Sequence, residues 1–154
     1  MMKKAFTIVE LVFVIVIIGI LTAIAVPKFS ATRDDATITK AKTTLASLRS
    51  ALSQEVQARM MKGDYTPVNN LGGTVGTHNS TIFDYFDGKN NQNRVLEYPP
   101  LSCKDGSAKG CWMRTGNNIY TYYFPSAIGG SATITLSNNR LNCTPSNKCK
   151  YLEH

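Results

Sequence analysis

Histidine, tryptophan and acidic side chains are scarce in this chain of 154 residues. It has two histidines, one tryptophan and ten Asp or Glu against 17 Lys or Arg. His78 and His154 stand apart in the sequence, and no serine occupies a G-x-S-x-G turn where it could act as a nucleophile. Gly72-Gly73-Thr74-Val75-Gly76 lacks the lysine that a phosphate-cradling loop requires. With no catalytic constellation in view, the expectation is a protein that is not an enzyme. Blocks of five or six like charges are also missing, so the net charge of +7 is diffuse. A diffuse basic balance can attract DNA or anionic lipid, but it more commonly serves solubility. Direct DNA binding is therefore the lesser expectation.

What the chain does have is an apolar run from Phe6 to Val26, behind Lys3 and Lys4. About 20 such residues suffice to cross a bilayer as one helix. Inside the run stands Glu10. A charge there costs on the order of 2.5–3.5 kcal/mol by insertion scales, so it calls for a partner. Thr7, Gly19 and Thr22 carry no charge, and the lysines lie behind it. A cut before Phe6 would create an α-ammonium able to pair with Glu10 of a neighbouring subunit.

These residues resemble the type IV prepilin family, which includes pilins and the pseudopilins of type II secretion. The resemblance covers roughly the first 27 residues: a basic leader, a small residue, Phe6, Glu10, the apolar helix and Pro27 at its end. It implies cleavage between Ala5 and Phe6 and N-methylation of Phe6 by a prepilin peptidase. It also implies an assembly role for Glu10. The family usually carries glycine at the position of Ala5, and another small residue is the least disruptive change there. Partners implied are like subunits in a filament, sister pilin-like subunits, the peptidase/methyltransferase and an inner-membrane assembly platform. Within the family, the small head favours type II secretion, ahead of competence pseudopilins for DNA uptake and surface pilins. Two plainer readings compete: a secretory signal cut after Ala25, releasing a disulfide-stapled binding protein, and a simple one-pass anchor. In the prepilin and anchor readings the N-terminus stays cytoplasmic and the rest of the chain is exported to the periplasmic side of the inner membrane.

Cysteine is absent until Cys103, after which come Cys111, Cys143 and Cys149. In an exported domain an even count reads as disulfides. Cys103–Cys111 and Cys143–Cys149 are favoured because each pair brackets a short polar loop; crosswise pairing is the alternative. The gaps exceed the C-x₂₋₄-C spacing of zinc sites. No cofactor is expected. Asp84, Asp87 and Asn90 do not fit the EF-hand pattern, which leaves only a calcium ion in a different oxygen cage as an alternative.

Beyond Pro27, which cannot donate a helical hydrogen bond and so predicts a kink or loosened turn, the periodicity is helical. Ile38, Ala41, Leu45, Leu48, Leu52, Val56 and Met60 recur at spacings of three and four, and Lys62-Gly63 ends the pattern. Residues 64–76 have loop chemistry, and Ile82–Phe86 fits either a short helix or an extended piece. Three or four short strands are predicted among Cys111–Arg114, Ile119–Phe124, Ala132–Leu136 and Arg140–Cys143. The expected fold is α+β: a long helix packed on a small antiparallel sheet, stapled by disulfides. Its divisions are a leader (1–5), an assembly helix (6–27), an amphipathic continuation (28–63) and a head (64–154).

Overall fold

The computed structural model describes residues 7–89 and 93–153, with backbone alone for 26–31. Two compact units are present, Met1–Asp35 and Ala36–His154. One helix, α1, spans Ile8–Met61 and contributes to both. Pro27 falls inside it and does not end it. A proline removes one hydrogen bond of the ladder, and the bonds on either side carry the helix on. At the far end, the Gly63 amide bonds Met60 O (3.0 Å) and the Asp64 amide bonds Arg59 O (2.9 Å). With Gly63 at φ +75°, that is a Schellman stop, the conformation only glycine adopts without strain.

In the second unit the predicted stripe of α1 enters the core: Ala41, Leu45, Leu48 and Leu52 are buried, with Ile38 and Val56 packed beside them. The stripe ends earlier than its period suggests. Met60 is half exposed, and Glu55 and Arg59 occupy the protected positions of the last turns.

Against the stripe lies a four-stranded antiparallel sheet in the order β1 (Cys111–Gly116), β2 (Ile119–Tyr123), β3 (Ser131–Ser137) and β4 (Arg140–Thr144). Alternation sends Trp112, Tyr120, Tyr122, Ala132, Ile134 and Leu136 inward. Ring contacts chain Phe83, Trp112, Tyr122, Phe124 and Tyr151 at centroid distances of 5.0–5.8 Å. Tyr122 Oη donates to Thr37 O (3.1 Å), tying β2 to α1. The β3–β4 turn is Asn138-Asn139, both at positive φ, the two-residue I′ geometry that matches strand twist.

The two sheet edges differ. Trp112 O and Arg114 O of β1 accept from the Cys103 and Gly76 amides, both at 2.9 Å. The outer edge of β4 has no backbone partner among the described residues. Among the described residues, 64–110 hold a single 3-10 turn, Phe86–Gly88, preceded by Tyr85 in an extended conformation, with isolated bridges Thr81–Leu101, Tyr85–Arg94 and Ser102–Trp112. Val68, Leu71, Ile82, Phe83, Phe86 and Val95 nonetheless reach the core. Disulfides join Cys103 to Cys111 and Cys143 to Cys149. Sequence periodicity gave no sign of the last element, α2 (Ser146–Glu153), which buries Cys149 and Leu152.

Candidate functional site: the apolar helix and the polar lock of the head

From Ile8 to Ala25 the helix has a mean hydropathy of 3.0, long and apolar enough by composition to cross a membrane, and none of it is buried. Its one charged residue, Glu10, lies in the first turn, where a carboxylate complements the positive end of the helix dipole. Thr7 is the residue before the helix. Its Oγ1 accepts the Glu10 amide (3.2 Å), while its own amide (3.5 Å) and hydroxyl (3.4 Å) face Glu10 Oε2. This is a reciprocal capping box. Glu10 thus has a neutral polar partner in its own chain, which a search for charges passes over although Thr7-x-x-Glu10 carries the signature. Both contacts fall on Oε2; among the described residues Oε1 has no donor, and a carboxylate accepts several. Further along, Thr22 Oγ1 bonds Ile18 O (2.8 Å) and Gly19 O (3.0 Å), so the second hydroxyl in the run is satisfied by the backbone.

Of the residues predicted to matter, Ala5 and Phe6 lie outside the described residues. Pro27 is placed in α1 without a described side chain. The four cysteines lie in the head, away from this segment in sequence, and serve as staples.

The head holds a polar cluster that the sequence did not announce. Arg59 Nε donates to Glu55 Oε1 and its Nη2 to Asp87 Oδ2, both at 2.7 Å, with all three side chains at most 13% exposed. Asn93 Nδ2 adds a bond to Glu55 Oε1 (2.9 Å). Asp87 Oδ1 accepts the amides of Asn69 (2.7 Å) and Asn70 (3.2 Å). Burial pushes the Asp87 carboxyl up; the Arg59 hydrogen bond and the two amides more than offset it, so the group is held below the usual carboxylate value.

A second knot surrounds Tyr120, whose hydroxyl accepts the Leu71 amide (2.8 Å) and donates to Gly72 O (3.1 Å). Burial pushes this phenol up to about 12. Gly72, at φ +85°, has Asp84 Oδ1 only 1.9 Å from where a Cβ would stand, so no side chain fits there. Asp84 Oδ1 takes the Gly73 (2.8 Å) and Tyr85 (2.9 Å) amides. Arg114 reaches Gly73 O (2.5 Å), Gly116 O (3.1 Å) and Asn117 O. The Asp84 and Asp87 carboxylates are therefore engaged by the protein's own donors, and Asn90 lies outside the described residues. Among the described residues no group of three or more His, Cys, Asp or Glu could hold a metal ion.

No family model matches the chain, and no solved structure matches it. A curated relative is the Type IV narrow pilus major component PilA5 of Thermus thermophilus, 50% identical over 60 residues. The matched stretch is 38% of this chain and 52% of that protein, so the chain spans about half the length of the curated relative it matches. The relative is a type IV pilin, and the long apolar N-terminal helix followed by a disulfide-stapled antiparallel sheet is the α+β layout of a prepilin-like protein.

Proposed function

We propose that this chain is a structural, non-enzymatic subunit of a type IV pilus-like filament, held in the inner membrane by its apolar helix until it is assembled. The carrying observation is that helix: 18 residues, entirely unburied, with one carboxylate in its first turn. Apolar side chains without a partner in their own chain find one in lipid or in copies of the same helix. Cleavage between Ala5 and Phe6 by a prepilin peptidase supplies the missing cation, which is N-methylated. That ammonium pairs with Glu10 of the adjoining subunit. At 4 Å and an effective dielectric near 20, such a pair gains about 4 kcal/mol. Like subunits, sister pilin-like subunits and an inner-membrane assembly platform complete the machinery, with the head on the periplasmic side.

The pilus component among the relatives favours a pilus subunit. The small head, with four strands and one short helix after α1, keeps a type II secretion or competence pseudopilin as the second reading.

Mass spectrometry of the mature protein tests the proposal. An N-methylated Phe6 terminus is expected. A terminus at Val26 selects the secreted reading, and an uncut chain that never self-associates overturns both. Glu10→Ala inserts in the membrane but forms no filaments; normal filaments from that variant remove the proposed role of Glu10. Deletion of the gene, scored for surface pili, exoprotein release and DNA uptake, separates pilus, secretion and competence.

A further inference from the structure

On one side of the head an open groove of about 490 Å³ runs between α1 and β4. Leu52, Val56 and Met60, four residues apart, form its helical wall, and Leu141 stands across from them on β4. Among the described residues Arg49 and Arg140 are its only charged lining, and no acid lines it. Arg49 is bridged to Glu153 at 2.5 Å, whereas the Arg140 side chain has no ion pair among the described residues. A carboxylate next to an apolar side chain complements such a groove in both charge and surface.

The same head carries that pair on its other side. Tyr98 is 90% exposed, and Glu97 beside it keeps 75% of its side chain in solvent. The ion pair of Glu97 with Arg94 is long, at 4.0 Å, and in water such a pair contributes little. Pro99 and Pro100 follow with fixed φ, which stiffens the backbone under the ring. Residues 94–97 flank α1 beside Ser47, Ala51 and Gln54. At about 100° per residue these lie across the buried stripe from Ser53, Val56 and Met60, which border the groove. The groove spans α1 residues 49–60 and the opposite flank residues 47–58, an offset of two residues or about 3 Å of rise. Two copies standing side by side with parallel helices therefore bring Glu97-Tyr98 of one level with the groove of the next. The two halves of the contact occupy different surfaces of each copy, so it is heterologous and repeats from copy to copy.

We propose that the groove between α1 and β4 receives Tyr98 of a second copy of this chain, with Glu97 of that copy against Arg140. A buried tyrosine covers about 150–250 Å², well short of the ~800 Å² that a free-standing interface takes from each partner. The contact therefore forms between copies already gathered by their helices, and in that respect it rests on the filament reading. In the test, p-benzoylphenylalanine replaces Tyr98 in the full chain, an exposed site where the head does not depend on the native ring. Membranes and assembled filaments are irradiated, and the cross-linked peptides are identified by mass spectrometry. Cross-links from position 98 of one copy to Val56, Met60 or Leu141 of another are expected. Arg140→Glu should cut their yield about tenfold or more, and Glu97→Arg added in the same chain should restore it. Filaments in which position 98 cross-links to a different surface, to another protein, only within its own chain or not at all overturn the inference and leave the filament reading standing. A yield unmoved by Arg140→Glu does the same. A chain that never self-associates and gives no cross-link between copies overturns both.

Discussion

Between Ile8 and Ala25 almost every side chain is apolar and none is buried, whereas the head has a core, running from Ala41 to Leu152, whose apolar side chains are only 0–6% exposed. The two regions also treat their charges differently. Among the described residues the Glu10 carboxylate, in the first, meets only a threonine, through contacts of 3.4–3.5 Å. Glu55 and Asp87, in the second, are bound by Arg59 at 2.7 Å and by amides besides. Among the described residues the buried carboxylates of the head are engaged by its own donors, and the helix at the N-terminus leaves its apolar surface unburied. Stability should therefore be written in the head, and, on the proposed function, assembly in the first helical turns.

Arg59→Ala should damage the head most. It leaves Glu55 and Asp87 protected from water without a counter-charge, and removing one partner of such a set costs about 3–5 kcal/mol. Chemical denaturation of the full chain would show it, and an unchanged midpoint would mean that the cluster is solvated. Tyr120→Phe comes next, at about 1–3 kcal/mol, because the buried Leu71 amide loses its acceptor. Its signature is faster hydrogen exchange at Leu71.

Asp87→Asn gives a pH-dependent loss. Because the folded carboxyl lies below its ordinary value of 3.8, the stabilisation it contributes is full above that pH and fades as the pH falls through the depressed folded value. The variant should be weaker than the parent at neutral pH and converge on it in strong acid. Parallel denaturation curves across the whole pH range would contradict this. Thr7→Val should have the smallest effect on folding, about 0.5–2 kcal/mol confined to the first turn of α1. Exchange at the Ile8–Glu10 amides in detergent would report it, with the midpoint of the head unmoved. A loss of head stability in this variant would break the division between the two regions.

The parts visible in the sequence were those fixed by local period. Leu45, Leu48 and Leu52 mark a helix face because core-facing positions recur every three or four residues, and Ala132–Leu136 marks a strand because they recur every two. Asn138-Asn139 was visible as a turn for its tolerance of positive φ. Other features are made by contacts distant in sequence. Glu55 and Arg59 look like an ordinary solvated pair until Asp87 arrives from 28 residues away. The order of residues 64–89 and 93–110 comes in part from carboxylates reaching amides, as Asp84 does to Gly73, and no periodicity records such bonds. α2 is too short for a repeat to emerge, since only Cys149 and Leu152 of its eight residues are buried. Met60 fits the helical period yet projects past the end of the core.

The unequal margins of the sheet give the head a built-in stop. With β1 already capped by Cys103 and Gly76, a β4 strand of one molecule has no matching open margin on the far side of the next. Backbone pairing between heads can then only be β4 to β4 about a two-fold axis, which closes at two and cannot run on into a ribbon.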